Sequence, residues 1–283
     1  MRKLWIAALL PLMVGCPPPM LRPPEPVTMS QAIARVNANT GRIHSCYKAI
    51  GAVRGHVTDQ TGTRQPFDLQ ASIQMLAPSF LYGSFKSGLG TEEMMLGCNA
   101  QAYWLFINRD NQTYRTGTYA AHQPDAVDDL PLRPDLIIEA LGFLPLPDIT
   151  VGTQGPVHRL VEDYQQLLFL DYTTKGQAVI QKEYWLDRRP PFLIRRILFR
   201  DPQGQVLMDS RLSAYRPVDS SSLLLPTKVY VDWPQDESAM RFSIRRWKPL
   251  PDRGTDNAAF IPPHLRGQRF GHMIDLDTGL PLK

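Results

Sequence analysis

Apolar and polar side chains alternate without a break from residue 67 to 75: Phe67, Leu69, Ala71, Ile73 and Met75 against Asp68, Gln70, Ser72 and Gln74. A period of two sustained over that length predicts a strand with one wet face. Upstream the period is different. Thr28 and Gln31 have capping-box spacing, and Ile33, Val36, Ile43, Tyr47 and Ile50 follow at helical intervals. These signals predict a helix over about 28–48, interrupted near Gly41. Short apolar runs bounded by turn residues predict further strands over 51–58, 80–86, 92–98, 102–107 and 113–119. They continue over 157–162, 166–173, 177–186, 192–200, 205–215, 225–233 and 238–248. The intervening turns include Ser87-Gly88-Leu89-Gly90 and Asp201-Pro202-Gln203-Gly204, the second with the Pro and Gly placement of a type I turn. Pro134 suits the first turn of a second helix, with Leu136, Ile137, Ala140 and Leu141 as its apolar stripe and Gly142 at its end. The fold class is therefore mainly β: a curled antiparallel sheet, an incomplete barrel, of about a dozen strands with two covering helices.

Composition narrows this picture. Of 283 residues 43% are hydrophobic, enough for a core, which excludes a wholly disordered chain. There are 26 prolines, roughly twice the usual share, which argues against a mainly helical protein. The net charge of +4 falls to +2 once Arg2 and Lys3 are removed, and gives no case for nucleic acid.

The N-terminus carries an address. Arg2 and Lys3 precede an uncharged apolar run, Leu4 to Leu12, too short to span a bilayer, and Met13-Val14-Gly15-Cys16 follows. This segment resembles the lipobox of bacterial lipoproteins, with Met13 where leucine is usual. The resemblance implies that residues 1–15 are a signal peptide and that Cys16 is the lipidated mature N-terminus. Residues 16–27 hold Pro17, Pro18, Pro19, Pro23, Pro24 and Pro26, an extended tether of polyproline type. Three acyl chains, as the resemblance implies, anchor durably where one is marginal. Pro17 stands where an inner-membrane retention aspartate often sits, which points to the periplasmic face of the outer membrane. Residues 28–248 form the folded domain, and the Pro- and Gly-rich tail 249–283 is expected to drape over its surface.

The layout also resembles the LolA/LolB-type periplasmic lipoprotein carriers. The features that carry this are the alternating strand and Pro78-Ser79-Phe80-Leu81-Tyr82 after it, and then Tyr103-Trp104-Leu105-Phe106. In the second half they are Glu183-Tyr184-Trp185-Leu186-Asp187 before a proline turn, and Leu225-Pro226. The resemblance spans roughly residues 28–248. It implies a half-barrel lidded by helices that holds acyl chains or lipoproteins. No binding residue is carried over.

Three cysteines are present. With Cys16 lipidated, Cys46 and Cys98 form either a disulfide, if the first helix lies over strand 92–98, or two buried thiols. Enzyme motifs are absent or fail on context: there is no HExxH, GxSxG or P-loop, and Asp277-Thr278-Gly279 stands alone near the C-terminus. A non-enzymatic protein without cofactor or metal is expected. Phe80, Tyr82, Tyr103, Leu105, Ile107, Phe169, Trp185, Ile194, Leu198, Tyr230 and Phe242 are the candidates to line one concave face. The loop Phe143-Leu144-Pro145-Leu146-Pro147 is too apolar for an ordinary loop. It either packs beneath the sheet or projects, and at least Leu144 or Leu146 is expected to be exposed and to touch membrane or cargo. Two functional readings follow. One is a lipid-anchored module that shelters hydrophobic ligands. The other is a structural or sensory envelope lipoprotein with a filled core that acts through protein contacts.

Overall fold

The computed structural model describes residues 27–58, 62–108, 112–119, 134–147, 156–173, 175–219, 221–251 and 257–282. Residues 1–26, with Cys16, the signal segment and nearly all of the tether, lie outside them.

In the first half, helix α1 (Met29–Thr40) precedes β1 (Tyr47–Thr58), β2 (Arg64–Leu76), β3 (Phe80–Lys86), β4 (Glu92–Cys98), β5 (Ala102–Ile107) and β6 (Thr113–Thr118). Helix α2 (Pro134–Ala140) follows, and then β7 (Val157–Val161), β8 (Tyr164–Tyr172), β9 (Ala178–Asp187), β10 (Ile194–Arg200) and β11 (Val206–Ser213). A small ribbon, β12 (Arg216–Pro217) with β13 (Leu224–Leu225), leads to β14 (Lys228–Trp233) and β15 (Ser238–Pro249). The chain ends in β16 (His272–Asp275) and β17 (Leu280–Pro281). Among the described residues fifteen strands join one sheet, in the order β17-β16-β6-β5-β4-β3-β2-β1-β15-β14-β11-β10-β9-β8-β7.

The count exceeds the expected dozen because of the C-terminal tail. The tail does more than drape: β16 pairs in parallel with β6, so the sheet is mixed, and β17 extends it. The first helix is also shorter than its periodicity suggested. Gly41 ends α1, its N–H returning to the Asn37 carbonyl at 2.7 Å, and the apolar residues from Tyr47 on belong to β1. The start of α1 follows the sequence: Thr28 caps the Gln31 N–H and Gln31 caps back. Asp201-Pro202-Gln203-Gly204 forms its turn, with Gly204 N–H on the Asp201 carbonyl at 2.9 Å.

The sheet wraps around the two helices, and one apolar core fills its concave side. Ile33 and Val36 of α1 and Ile137, Ile138 and Leu141 of the α2 segment meet Val53, Ile73, Leu81, Leu96, Leu105, Leu167, Ile197, Val229 and Phe242 from nine strands. Each fully buried side chain of this kind contributes roughly 1.5–3 kcal/mol. The convex side carries different surfaces. Over β4–β6 a second apolar cluster, Met95, Trp104, Phe106 and Tyr114, is covered by the C-terminal segment through Phe270 and Met273. Phe270 stacks on Tyr114 at 4.4 Å, and Phe260 covers Phe80 at 5.4 Å. Over β8–β11 the convex face is an ion-pair lattice: Arg200 on Glu183, and Arg196 and Arg211 on Asp209. Burial pushes the Asp209 carboxyl up, but the hydrogen bonds from Arg196 and Arg211 outweigh it and hold it below its ordinary value.

The C-terminal strap has one titratable clasp. His264 Nδ1 lies 2.8 Å from the Tyr114 hydroxyl. Burial lowers the imidazole pKa and raises that of the phenol, so a neutral imidazole faces a protonated tyrosine. Because the folded pKa of His264 is depressed, its contribution is full above the ordinary value of about 6.5 and is lost as pH falls through the lowered one. The melting-temperature advantage of the wild type over His264→Gln should therefore shrink on acidification below that value. An advantage that is independent of pH would show that the clasp does not titrate.

Candidate functional site

The site that the fold builds is the concave face, and the segment 134–147 occupies it. Helix α2 has 7 residues, too few to be stable alone. Packing and a few polar pins hold it in place. Glu139, largely buried at 8% exposure, receives Lys182 Nζ at 2.8 Å and the Tyr184 hydroxyl. Burial and the Glu139 carboxylate push the Tyr184 phenol well up, so it stays protonated and donates. Ser210 donates to the Ala140 carbonyl at 2.6 Å. Beyond the helix, Asn37 of α1 clamps Leu146 from both sides, Nδ2 to the carbonyl and Oδ1 from the N–H, each at 2.8 Å.

This arrangement overturns the projecting loop. Phe143 is fully buried, in edge contact with Tyr47 at 6.0 Å and tilted on Trp247 at 5.2 Å. Leu146 is buried and Leu144 is partly buried against the same core. The loop is apolar because it lies under the sheet, where the Asn37 amide satisfies its backbone. Phe143 and Leu146 are therefore core residues, and Leu144 lies partly buried against them.

The disulfide is also corrected. Cys46 sits just before β1 and Cys98 ends β4, with β2 and β3 between. The row Tyr47, Met75, Leu81, Cys98 runs straight across these strands. The separation is about three strand spacings, or ~14 Å, twice the ~7 Å that a disulfide spans. The two are not bridged; both are buried, and Cys98 Sγ lies 3.4 Å from the Ser79 carbonyl. Helix α1 stops short of Cys46, so the condition for the bond is not met.

The aromatic candidates divide between the two faces. Tyr103, Leu105, Ile107, Phe169, Ile194 and Phe242 belong to the concave core. Tyr82 packs in the convex cluster and Phe80 lies under Phe260. Trp185 pairs with Arg196, Leu198 with Glu183 and Asp209, and Tyr230 with Arg211 and Arg241, all on the convex face. Bulges near Phe199 and Phe169 shift the face on which later residues appear. The pins Glu139, Lys182 and Tyr184 escaped the sequence reading. Their signal was present: Lys182 interrupts the row Lys182, Tyr184, Leu186, and Glu139 adjoins the apolar stripe of α2.

A pocket between α1 and the Phe192–Ile194 turn, lined also by Gly142 and Tyr215, encloses about 10 Å³. That is room for one water, far below the several hundred Å³ of a preformed ligand site. Among the described residues no three His, Cys, Asp or Glu side chains gather as a metal site requires, and no helix is long and apolar enough to cross a membrane.

No family model and no curated protein matches the sequence. Similar solved structures include a LolA superfamily protein from Nitrosomonas europaea, 10% identical with a TM-score of 0.49, covering 84% of this chain and 100% of that one. A DUF1329 family protein from Desulfovibrio piger is 12% identical with a TM-score of 0.49, covering 83% of this chain and 97% of that one. An outer membrane lipoprotein-sorting protein domain from Vibrio parahaemolyticus is 11% identical with a TM-score of 0.46, covering 83% of this chain and 95% of that one.

Proposed function

We propose that the chain is a lipid-anchored envelope lipoprotein, not an enzyme, whose half-barrel holds hydrophobic ligands such as acyl chains or the acylated ends of other lipoproteins. In the ligand-free state the segment 134–147 takes the ligand's place. The observation that carries this reading is the chemistry of that segment. Ile137 and Ile138, on a helix too short to hold itself, and Leu141, Phe143 and Leu146 just after it present the concave face with an apolar surface of the kind an acyl chain would present. The anchor rests on the resemblance of Met13-Val14-Gly15-Cys16 to a lipobox, and the periplasmic face of the outer membrane follows from Pro17. A specific observation favours the second reading, a filled-core structural or sensory lipoprotein: Phe143 is completely buried and the pocket beside α1 holds no more than a water.

Native mass spectrometry of protein purified from membranes tests both parts. A covalent acyl mass that maps to Cys16, together with non-covalent lipid released on activation, is the expected result. The covalent mass without bound lipid favours the filled core. Absence of the covalent mass overturns the anchor.

A further inference from the structure

Helices and a strap cover much of the sheet, but among the described residues nothing covers the middle of its convex face. Strand β1 is eighth of the fifteen and β15 is beside it, so this region is the apex of the curvature. Cations stand there, among them Lys48, Arg54, Lys228, Arg241, Arg246 and Lys248. These point away from the core, since their strand neighbours Ala49, Val53, Val229, Phe242 and Trp247 fill it. Between them lie Ile50, Ala52, Ser72 and Ser243.

The charges are not balanced. Asp68 pairs with Arg54 at 2.8 Å, and Asp219 lies 3.9 Å from Arg246. Arg241 leans on the Tyr230 ring, whose hydroxyl meets Asp232 one row further out. Among the described residues, no carboxylate pairs with Lys48, Lys228 or Lys248. Lys48 and Lys248 are direct cross-strand partners. Like charges so placed repel across about 5 Å and weaken the sheet, a cost that an anionic partner would relieve.

We infer that the convex apex of β1, β15 and β14 is a docking surface for an anionic bilayer, recognising phosphate headgroups. The observations favour a bilayer over a folded acidic protein. A plane laid against a convex sheet touches its central strands first, and the cations there are spread over three neighbouring strands. The inference does not rest on the concave face holding a ligand.

The test measures partition of the full-length protein onto phosphatidylcholine vesicles with and without phosphatidylglycerol, at low and high salt. Residues 1–26 are the same in every variant, so the ratio of the two partition coefficients reads the strip. The wild type should prefer anionic vesicles and lose the preference at high salt, where charges more than about 3–10 Å apart are screened. Lys248→Glu should cut the ratio by at least about 5-fold, the worth of one surface cation at such a membrane. It also sets a carboxylate opposite Lys48, so the melting temperature should not fall. That combination separates binding from folding. Arg241→Glu with Lys248→Glu should reduce the ratio further. A wild-type ratio near one, or an unchanged ratio in a folded Lys248→Glu variant, overturns the inference. So does a strip that takes up a soluble acidic protein but no anionic vesicle.

Discussion

Truncating Phe143 to alanine should destabilise the protein by about 3–5 kcal/mol, the usual range for a fully buried phenylalanine. The ring has no exposed surface and touches Tyr47 and Trp247, so its loss leaves a gap walled by aromatic and aliphatic side chains. Asn37 limits collapse of the gap, because it fixes Leu146 three residues on by two hydrogen bonds. A dry apolar cavity of this kind accepts small apolar molecules. If the segment 134–147 stands in for a ligand, the shortened plug should make the concave face more receptive. A long-chain fatty acid would then raise the urea midpoint of Phe143→Ala by mass action, and that of the wild type less. Glu139→Gln, which keeps the shape of the pin but removes its charge, should move uptake in the same direction by weakening the hold of Lys182 on α2. Should both variants be destabilised with no rescue by fatty acid, the segment is ordinary core and the filled-core reading stands.

The hairpin ladder was legible because each of its signals is local. A period of two, an Asp-Pro-Gln-Gly turn and a capping box each act within a few residues, and β2, the 201–204 turn and the start of α1 lie where they were expected. What failed depends on partners distant in sequence. Whether Trp185 and Tyr230 face in or out is set by pairing across the sheet, and alternation within one strand cannot reveal it. The apolar loop showed that it needed cover but not which side would supply it; that cover comes from Tyr47 and Trp247 of the sheet, and Asn37 of α1, more than a hundred residues away, pins it. The tail strands were missed for a related reason. His272-Met273-Ile274-Asp275 is too short to read as a strand alone and becomes one only beside β6. The basic strip was hidden by arithmetic: a net charge of only +4 conceals an uneven distribution, and only the register brings Lys48 and Lys248 together.

The second large effect is expected at Gly51. A β-carbon added there would lie 2.1 Å from the Ser243 carbonyl oxygen and 2.8 Å from the Ile244 α-carbon, both backbone atoms of β15 that cannot rotate away. The close approach coincides with the register shift between Ile50 and Gly51, where β1 takes an irregular step against β15. Bulges of this kind bend the strand and sharpen its twist, and a glycine inside a strand marks such a close approach. The position lies on β1, the middle strand of the fifteen, so the bend there helps to bring the two halves around α1 and α2. Gly51→Ala must push β15 outward, against the packing of Phe242 and Ile244. Overpacking commonly costs about 1–3 kcal/mol and occasionally more; with backbone on the far side of the clash, the upper end, about 3 kcal/mol, is expected. Gly88→Ala is the control, since it meets nothing within 4 Å and should stay within about 0.5 kcal/mol of the wild type. Urea unfolding followed by circular dichroism decides the matter. A midpoint lowered for Gly51→Ala and kept for Gly88→Ala places the bend at the β1–β15 contact. Equal midpoints would mean that the sheet absorbs the methyl group and takes its curl from elsewhere.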